Sequence, residues 1–191
     1  MFIQTEPTPN PLTLKFLPGR IVMKEGTAFF QDKSKCSNSP LAKRLFSIEG
    51  VAGVFFGNDF ITITQVKNTD WQILKPMILG AIMDHYNSDE EVLIKSKNNS
   101  INIDSKLSEA KQEDNEIVKQ IKDLLDTRIR PAVAMDGGDI VFQRFENGIV
   151  YIHMQGACSG CPSSTATLKM GIENMLKHYV PEVKEIRQID V

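Results

Sequence analysis

The chain has 191 residues, 41% of them hydrophobic, with 22 basic and 24 acidic side chains and a formal net charge of -2. This length suits one or two small domains with cores of their own, and the balanced charge recommends neither nucleic acid nor a basic ligand. No apolar run approaches the roughly 20 residues that span a bilayer, so no membrane is expected as a partner. Three cysteines are too few for a disulfide framework, and the first eleven residues carry Gln4, Glu6 and three prolines in place of a signal or transit peptide. Reduced thiols and a cytoplasmic location are therefore expected.

In chain order, Leu12, Leu14 and Phe16 alternate with Thr13 and Lys15 as in a strand, Pro18-Gly19 turns the chain, and a second strand is expected near residues 21–23. Ser39-Pro40 reads as the N-cap and first position of a short helix through Leu41, Leu45 and Phe46, closed by Gly50. Residues 51–56 and 59–66 flank Gly57-Asn58, a dipeptide suited to a two-residue primed turn, and Phe60, Ile61, Thr62, Ile63 and Thr64 have strong β character. A helix follows Asp70, with Trp71, Leu74, Ile78, Ala81, Ile82 and His85 on one face; Pro76 either kinks it or marks its start. The sum is a small sheet backed by two helices.

Residues 95–114 are rich in Lys, Asn, Ser and Asp and lack aromatic side chains, the composition of a linker. The chain accordingly divides into a first domain over 1–94, a flexible linker over 95–113 and a second domain over 114–191. In the latter, Ile117, Ile121, Leu124 and Leu125 repeat at helical spacing until Pro131 ends the run. Residues 139–145 and 149–155 read as strands around Asn147-Gly148, the best hairpin signal in the chain. A helix starting at Pro162 carries Leu168, Ile172, Met175, Leu176 and Tyr179, Pro181 stops it, and residues 183–191 supply a last strand. The expected fold class is α+β: two small domains, each a small, mostly antiparallel sheet packed against two helices, the second in the order α-β-β-α-β.

Cys158-Ser159-Gly160-Cys161, running straight into Pro162, is half a metal site. An iron-sulfur cluster takes four thiolates and tetrahedral zinc four soft or borderline ligands, so two on one chain need partners elsewhere, most simply a second copy. A helix N-terminus offers unpaired N–H groups and a partial positive charge, which lower a thiol pKa. Gly156 and Gly160 let the backbone bend around an inorganic core, and Ser163, Ser164 and Thr165 add polar neighbours that do not compete as ligands. Without metal, residues 156–161 are expected among the looser parts of the chain.

Three readings fit the pair: iron-sulfur ligation, a structural zinc half-site that bridges a dimer, and a dithiol oxidoreductase cycling a Cys158–Cys161 disulfide. Against zinc, His85, His153 and His178 lack metal-type spacing; His153, in a strand, reads as solvent-facing, and His85 and His178 as dipole contacts near helix ends. Against redox chemistry, the pair follows a hairpin and not the first strand of a βαβ unit. In Asp136-Gly137-Gly138-Asp139 the glycines read as a tight turn and one aspartate as a partner of the local backbone, not as a metal ligand. Cys36, alone in the polar stretch 31–39, is left out of the site.

The segments RPAVAMDGGDIVF (130–142) and GACSGCPSSTATLKMGIENML (156–176) closely resemble the NifU-like C-terminal domain, and TEPTPNPLTLKFLPG (5–19) with GVAGVFFGNDFITIT (50–64) resembles the Nfu N-terminal domain. Together they cover nearly everything but the linker. The resemblance implies an iron-sulfur cluster carrier and not an enzyme. Two subunits of a homodimer would bind one 4Fe-4S cluster through Cys158 and Cys161 of each, take it from upstream cluster assembly proteins and pass it to apo iron-sulfur client proteins. The first domain would be an interaction module. The scaffold domain of full-length NifU proteins, with cysteine ligands of its own, has no counterpart here, so carrying preformed clusters is expected over building new ones. A mature eukaryotic form would belong in the mitochondrial matrix; the lack of a transit peptide leans toward a bacterial cytoplasm.

Overall fold

The computed structural model describes residues 2–88, 90–94, 112–159 and 162–189. The first half builds one five-stranded antiparallel sheet in the order β1-β2-β5-β4-β3, from β1 Gln4–Pro7, β2 Thr13–Leu17, β3 Ala28–Phe30, β4 Val51–Phe56 and β5 Ile61–Gln65. Helices α1 Pro40–Phe46 and α2 Trp71–Asn87 pack with it around one core. Alternation along β5 turns Ile61 and Ile63 toward Leu41, Leu45, Leu74, Ile78 and Ile82, all fully buried. Burying each such side chain contributes about 1.5–3 kcal/mol. Ser39 caps α1 by accepting from the Ala42 N–H at 3.1 Å, and Asp70 caps α2 by accepting from Gln72 at 2.9 Å. Pro76 lies inside α2, which starts at Trp71.

Three local expectations fail for physical reasons. Residues 21–23 are not a strand; the Val22 and Met23 N–H groups instead meet the Asn58 carbonyl, and the edges of the sheet are β3 and β1. β1 includes Pro7, whose missing donor is tolerated on an edge. Gly57-Asn58 does not form a primed turn, because residues 57–60 connect β4 to β5 and none has a positive φ. Glycine is required there by packing: a Cβ at Gly57 would stand 2.3 Å from the Phe60 ring. Helix α1 closes at Ser47, and Gly50, at φ +97°, instead leads into β4.

The second half runs α3 Gln112–Leu124, a π-helical turn Leu125–Ile129, α4 Arg130–Met135, β6 Gly138–Glu146, β7 Ile149–Gly156, α5 Pro162–Tyr179 and β8 Glu185–Gln188. Its sheet has the order β6-β7-β8, antiparallel within the hairpin and parallel between β7 and β8. Ile121, Leu125, Ile129 and Val133 meet Ile140, Ile152, Met154, Ile172 and Leu176 in a second core. The fold is thus α+β with two domains. The linker expected over 95–113 lies outside the described residues up to 111, and α3 opens at Gln112. Pro131 does not end the helical run. It enters in the first turn of α4, just after the wider π turn, where its missing N–H needs no partner.

Asn147 (φ 53°) and Gly148 (φ 83°) form the left-handed pair of a primed two-residue turn, and a Cβ on Gly148 would lie 2.9 Å from the Glu182 carbonyl oxygen. Gly148→Ala should therefore cost about 1–3 kcal/mol, whereas Asn147→Gly should stay within about 0.5 kcal/mol. Urea unfolding reads both, and similar small losses would mean that this turn does not pin the hairpin.

Candidate functional site

The candidate cysteine segment begins at the open end of the β6–β7 hairpin. Gly138 pairs with Gly156 in the ladder, and the chain enters through Gly137 (φ 81°) and leaves through Gly156 (φ 64°). Both backbones approach too closely for side chains: a Cβ on Gly156 would stand 2.6 Å from the Gly137 carbonyl oxygen, and one on Gly138 2.6 Å from Cys158 Sγ. The Ala157 N–H donates to the Gly137 carbonyl at 3.1 Å and the Ser159 N–H to that of Gly156 at 3.1 Å. The loop expected to be loose is therefore pinned from residue 156 to 159. Gly160 and Cys161 lie outside the described residues, as do the side chains of Ser163, Ser164 and Thr165.

Cys158 is 7% exposed and packs with the second core, its Sγ over the backbone of Gly138. Burial first, and then the carboxylates of Asp136 and Asp139, push its thiol up to about 12. This reverses the expectation drawn from the helix N-terminus. The reason is position: Cys158 stands ahead of α5, which begins at Pro162, and desolvation outweighs the helix field. Asp139 is fully engaged in structure. Its carboxylate receives a two-pronged contact from Arg130 at 2.8 Å on each oxygen, the Ile140 N–H at 2.8 Å and the Thr27 hydroxyl at 2.9 Å. That carboxylate holds the Arg130 guanidinium well above its ordinary range. Among the described residues no three His, Cys, Asp or Glu side chains gather as a metal site.

The remaining candidates separate clearly. Cys36 is completely buried in the first core with Sγ 3.4 Å from the Asp32 carbonyl, and burial raises its thiol. His153 does not face solvent: it is buried, its Nδ1 lies 3.0 Å from the Ile189 carbonyl, and its ring centroid is 6.4 Å from that of Phe29. His85 is completely buried beside Tyr86, with neither ring nitrogen hydrogen-bonded and Nδ1 3.8 Å from Glu90. Burial lowers its pKa, which favours the neutral ring.

Sequence reasoning missed the contribution of the first domain. Asn10, 2% exposed, donates from Nδ2 to the carbonyls of Ala157 at 3.4 Å and Ser159 at 3.2 Å, on either side of Cys158. Its Oδ1 accepts from the Leu12 N–H at 3.0 Å, which fixes which way the amide points. Thr62 donates to the Gly137 carbonyl at 2.7 Å and Lys15 to that of Met135 at 3.1 Å. An isolated Asn, Thr or Lys in the sequence carries no signal for such long-range bonds. The one available hint was alternation, which puts Lys15 and Thr62 on the face away from the helices.

Two family profiles match the chain, one described as scaffold protein Nfu/NifU N terminal over residues 3–89 and one as NifU-like domain over residues 121–187. Over 190 residues it is 53% identical to NifU-like protein 4, mitochondrial, of Arabidopsis thaliana, an alignment covering 98% of this chain and 66% of that protein. It is 50% identical over 190 residues to the NFU1 iron-sulfur cluster scaffold homolog, mitochondrial, of Drosophila willistoni, covering 99% of this chain and 64% of that one. The chain thus spans 66% and 64% of the length of these curated relatives, about two thirds. The solution NMR structure of a NifU-like protein from Saccharomyces cerevisiae aligns with a TM-score of 0.46 at 26% identity, covering 50% of this chain and 87% of that one.

Two pH effects follow from the burial. An exposed thiol, with a pKa of about 8.5, reaches its full alkylation rate near pH 9 to 10; Cys158 in the metal-free protein should still be gaining rate there, and a plateau near pH 9 would contradict its burial. For His85 the unfolded chain takes up a proton below about pH 6.5 that the folded chain refuses, so stability falls as pH drops through that value. His85→Leu should flatten this part of the pH–stability curve measured by urea unfolding.

Proposed function

The chain belongs to the family of Nfu and NifU-like iron-sulfur cluster scaffold proteins, and on that premise we propose that it is a carrier of preformed clusters, with a 4Fe-4S cluster as cargo held between two copies by Cys158 and Cys161 of each. The observation that carries this reading is the placement of Cys158 on a bare glycine backbone, three positions before Cys161 and four before Pro162, the start of α5. Soft thiolates are the ligands that iron in such clusters takes, and two per chain make four in a homodimer. The bare backbone of Gly138 lets the sulfur approach the main chain closely, the kind of setting in which backbone hydrogen bonds tune a cluster.

Delivery to an apo iron-sulfur client needs no catalyst. A client thiolate replaces a carrier thiolate on iron, one iron–sulfur bond forming as another breaks, and no electron is transferred. The released Cys158 then takes a proton, because burial favours the neutral thiol. Upstream cluster assembly proteins would supply the cargo by the same chemistry in reverse. The first domain would serve as an interaction module. Of the two compartments left open by the sequence, the likeness to two mitochondrial relatives favours the mitochondrial one.

Anaerobic reconstitution with iron and sulfide should give a brown protein with a 4Fe-4S Mössbauer signature, about two irons per chain and, by light scattering, the mass of a dimer. Cys158→Ser or Cys161→Ser should abolish cluster binding with the fold intact, whereas Cys36→Ser should leave binding unchanged. A cluster retained in either of the first two variants would remove the site, and a colourless protein holding zinc, or one that only cycles a disulfide, would remove the carrier reading.

A further inference from the structure

The face of the first sheet opposite α1 and α2 would meet water in an isolated domain, yet it is covered. Ladder pairing lines up Glu6, Lys15, Thr62, Phe55 and Phe29 as one row across five strands. Thr62 and Phe55 are each 1% exposed and Lys15 is 8% exposed. The row lands on the turn before β6 and the end of β7. Lys15 bonds Met135 and Thr62 bonds Gly137; the Phe55 ring blocks the space above Gly156, lying 3.0 Å from where its Cβ would stand; Phe29 faces His153. Thr27 adds its bond to Asp139, and Asn10 its two bonds to the cysteine loop. The first domain therefore grips the same short stretch of backbone that carries Cys158.

We infer that this grip is a latch: Asn10 is a positioning residue that holds the cysteine loop with its thiol turned inward, and Cys158 reaches a second copy of the chain only when the two domains part. This rests on the reading of Cys158 and Cys161 as ligands shared by two copies. Cys158 Sγ lies against Gly138, so offering it to another chain requires the loop to turn outward. That movement displaces the carbonyls of Ala157 and Ser159, which flank the cysteine and are both tied to one amide of the first domain. Turning the thiol out and breaking the interdomain contact are thus a single event. A cluster bridging two chains would stabilise the open arrangement, and an empty chain would fall back to the closed one.

Two substitutions test the latch in the full-length, metal-free chain. Asn10→Asp keeps the oxygen that accepts from Leu12 but sets a second oxygen against two carbonyls; Thr62→Val removes the bond to Gly137 with little change of shape. Maleimide labelling at neutral pH, resolved by peptide mass spectrometry with Cys36 as internal standard, should speed up at Cys158 by about tenfold in Asn10→Asp, the effect of losing roughly one buried hydrogen bond. Thr62→Val should act in the same direction. Hydrogen exchange at the Ala157 and Ser159 amides should quicken with it. Unchanged labelling and exchange in both variants would overturn the latch, and so would acceleration shared equally by Cys36, which reads general loosening. No step uses iron, so the result stands apart from reconstitution: a chain that opens in this way but binds no cluster keeps the latch and loses the carrier reading.

Discussion

The arrangement depends on the close approach of two backbones at the open end of one hairpin. Gly138 and Gly156 face each other in the ladder, and neither position has room for a Cβ. Side chains there would push β6 from β7 and lift Cys158 off its seat, so the register of the sheet and the placement of the thiol are the same constraint. The primed turn at Asn147-Gly148 holds the far end of this hairpin, and the parallel pairing with β8 braces β7 from its other side. The thiol is thus positioned by backbone geometry and not by a shell of side chains.

The contact between the domains is built differently, from polar groups that are costly to bury alone. A hydroxyl removed from water without a partner costs about 1–3 kcal/mol, and a charged ammonium group considerably more. Thr62 and Lys15 meet that cost with carbonyls of the second domain, and Lys15 also reaches Glu6 at 3.3 Å. Each of these groups can be satisfied equally by water once exposed. A neutral hydrogen bond such as that of Thr62 contributes only about 0.5–1.5 kcal/mol in net terms, and a charged one such as that of Lys15 about 1.5–3 kcal/mol. Among the described residues Phe55 and Phe29 are the apolar side chains placed on this contact, and an interface resting largely on polar groups closes with modest strength, as the proposed opening would require.

Much of this was legible in the sequence, for identifiable reasons. Periodicity marked α2 and α5, Ser39-Pro40 marked the start of α1, and Asn147-Gly148 marked the hairpin, because each signal is local and its physics acts on neighbouring residues. The misses share a cause: a second function for the same residue type. Gly57 looked like a turn residue but makes room for Phe60; Pro131 looked like a helix stop but sits where its missing donor is harmless. His153 looked exposed because strand alternation cannot say that a second domain lies above it. Cys158 was legible as a ligand candidate but its raised pKa was not, since burial depends on contacts far away in the chain. Asn10, 147 residues from Ala157, lay beyond any local pattern.

If Cys158 is the shared ligand proposed above, a buried thiol and a shared ligand are opposing demands on the same residue, and the proposed two-state loop would reconcile them. In the closed chain Cys158 is neutral and shielded from oxidants and stray metals. In the open one it is available to a partner copy. The apparent affinity for cargo is then the intrinsic affinity reduced by the fraction of chains that are open, so every 1.4 kcal/mol by which the domains prefer to close weakens holding about tenfold. Were the cargo held between two copies as proposed, it would draw on two latches, the penalty would enter twice per cluster, and about 1.4 kcal/mol per chain would become about a hundredfold for the dimer. In the proposed dimer, a modest interface reckoned on both sides would thereby be enough to make holding conditional and to favour release without altering a single thiolate ligand.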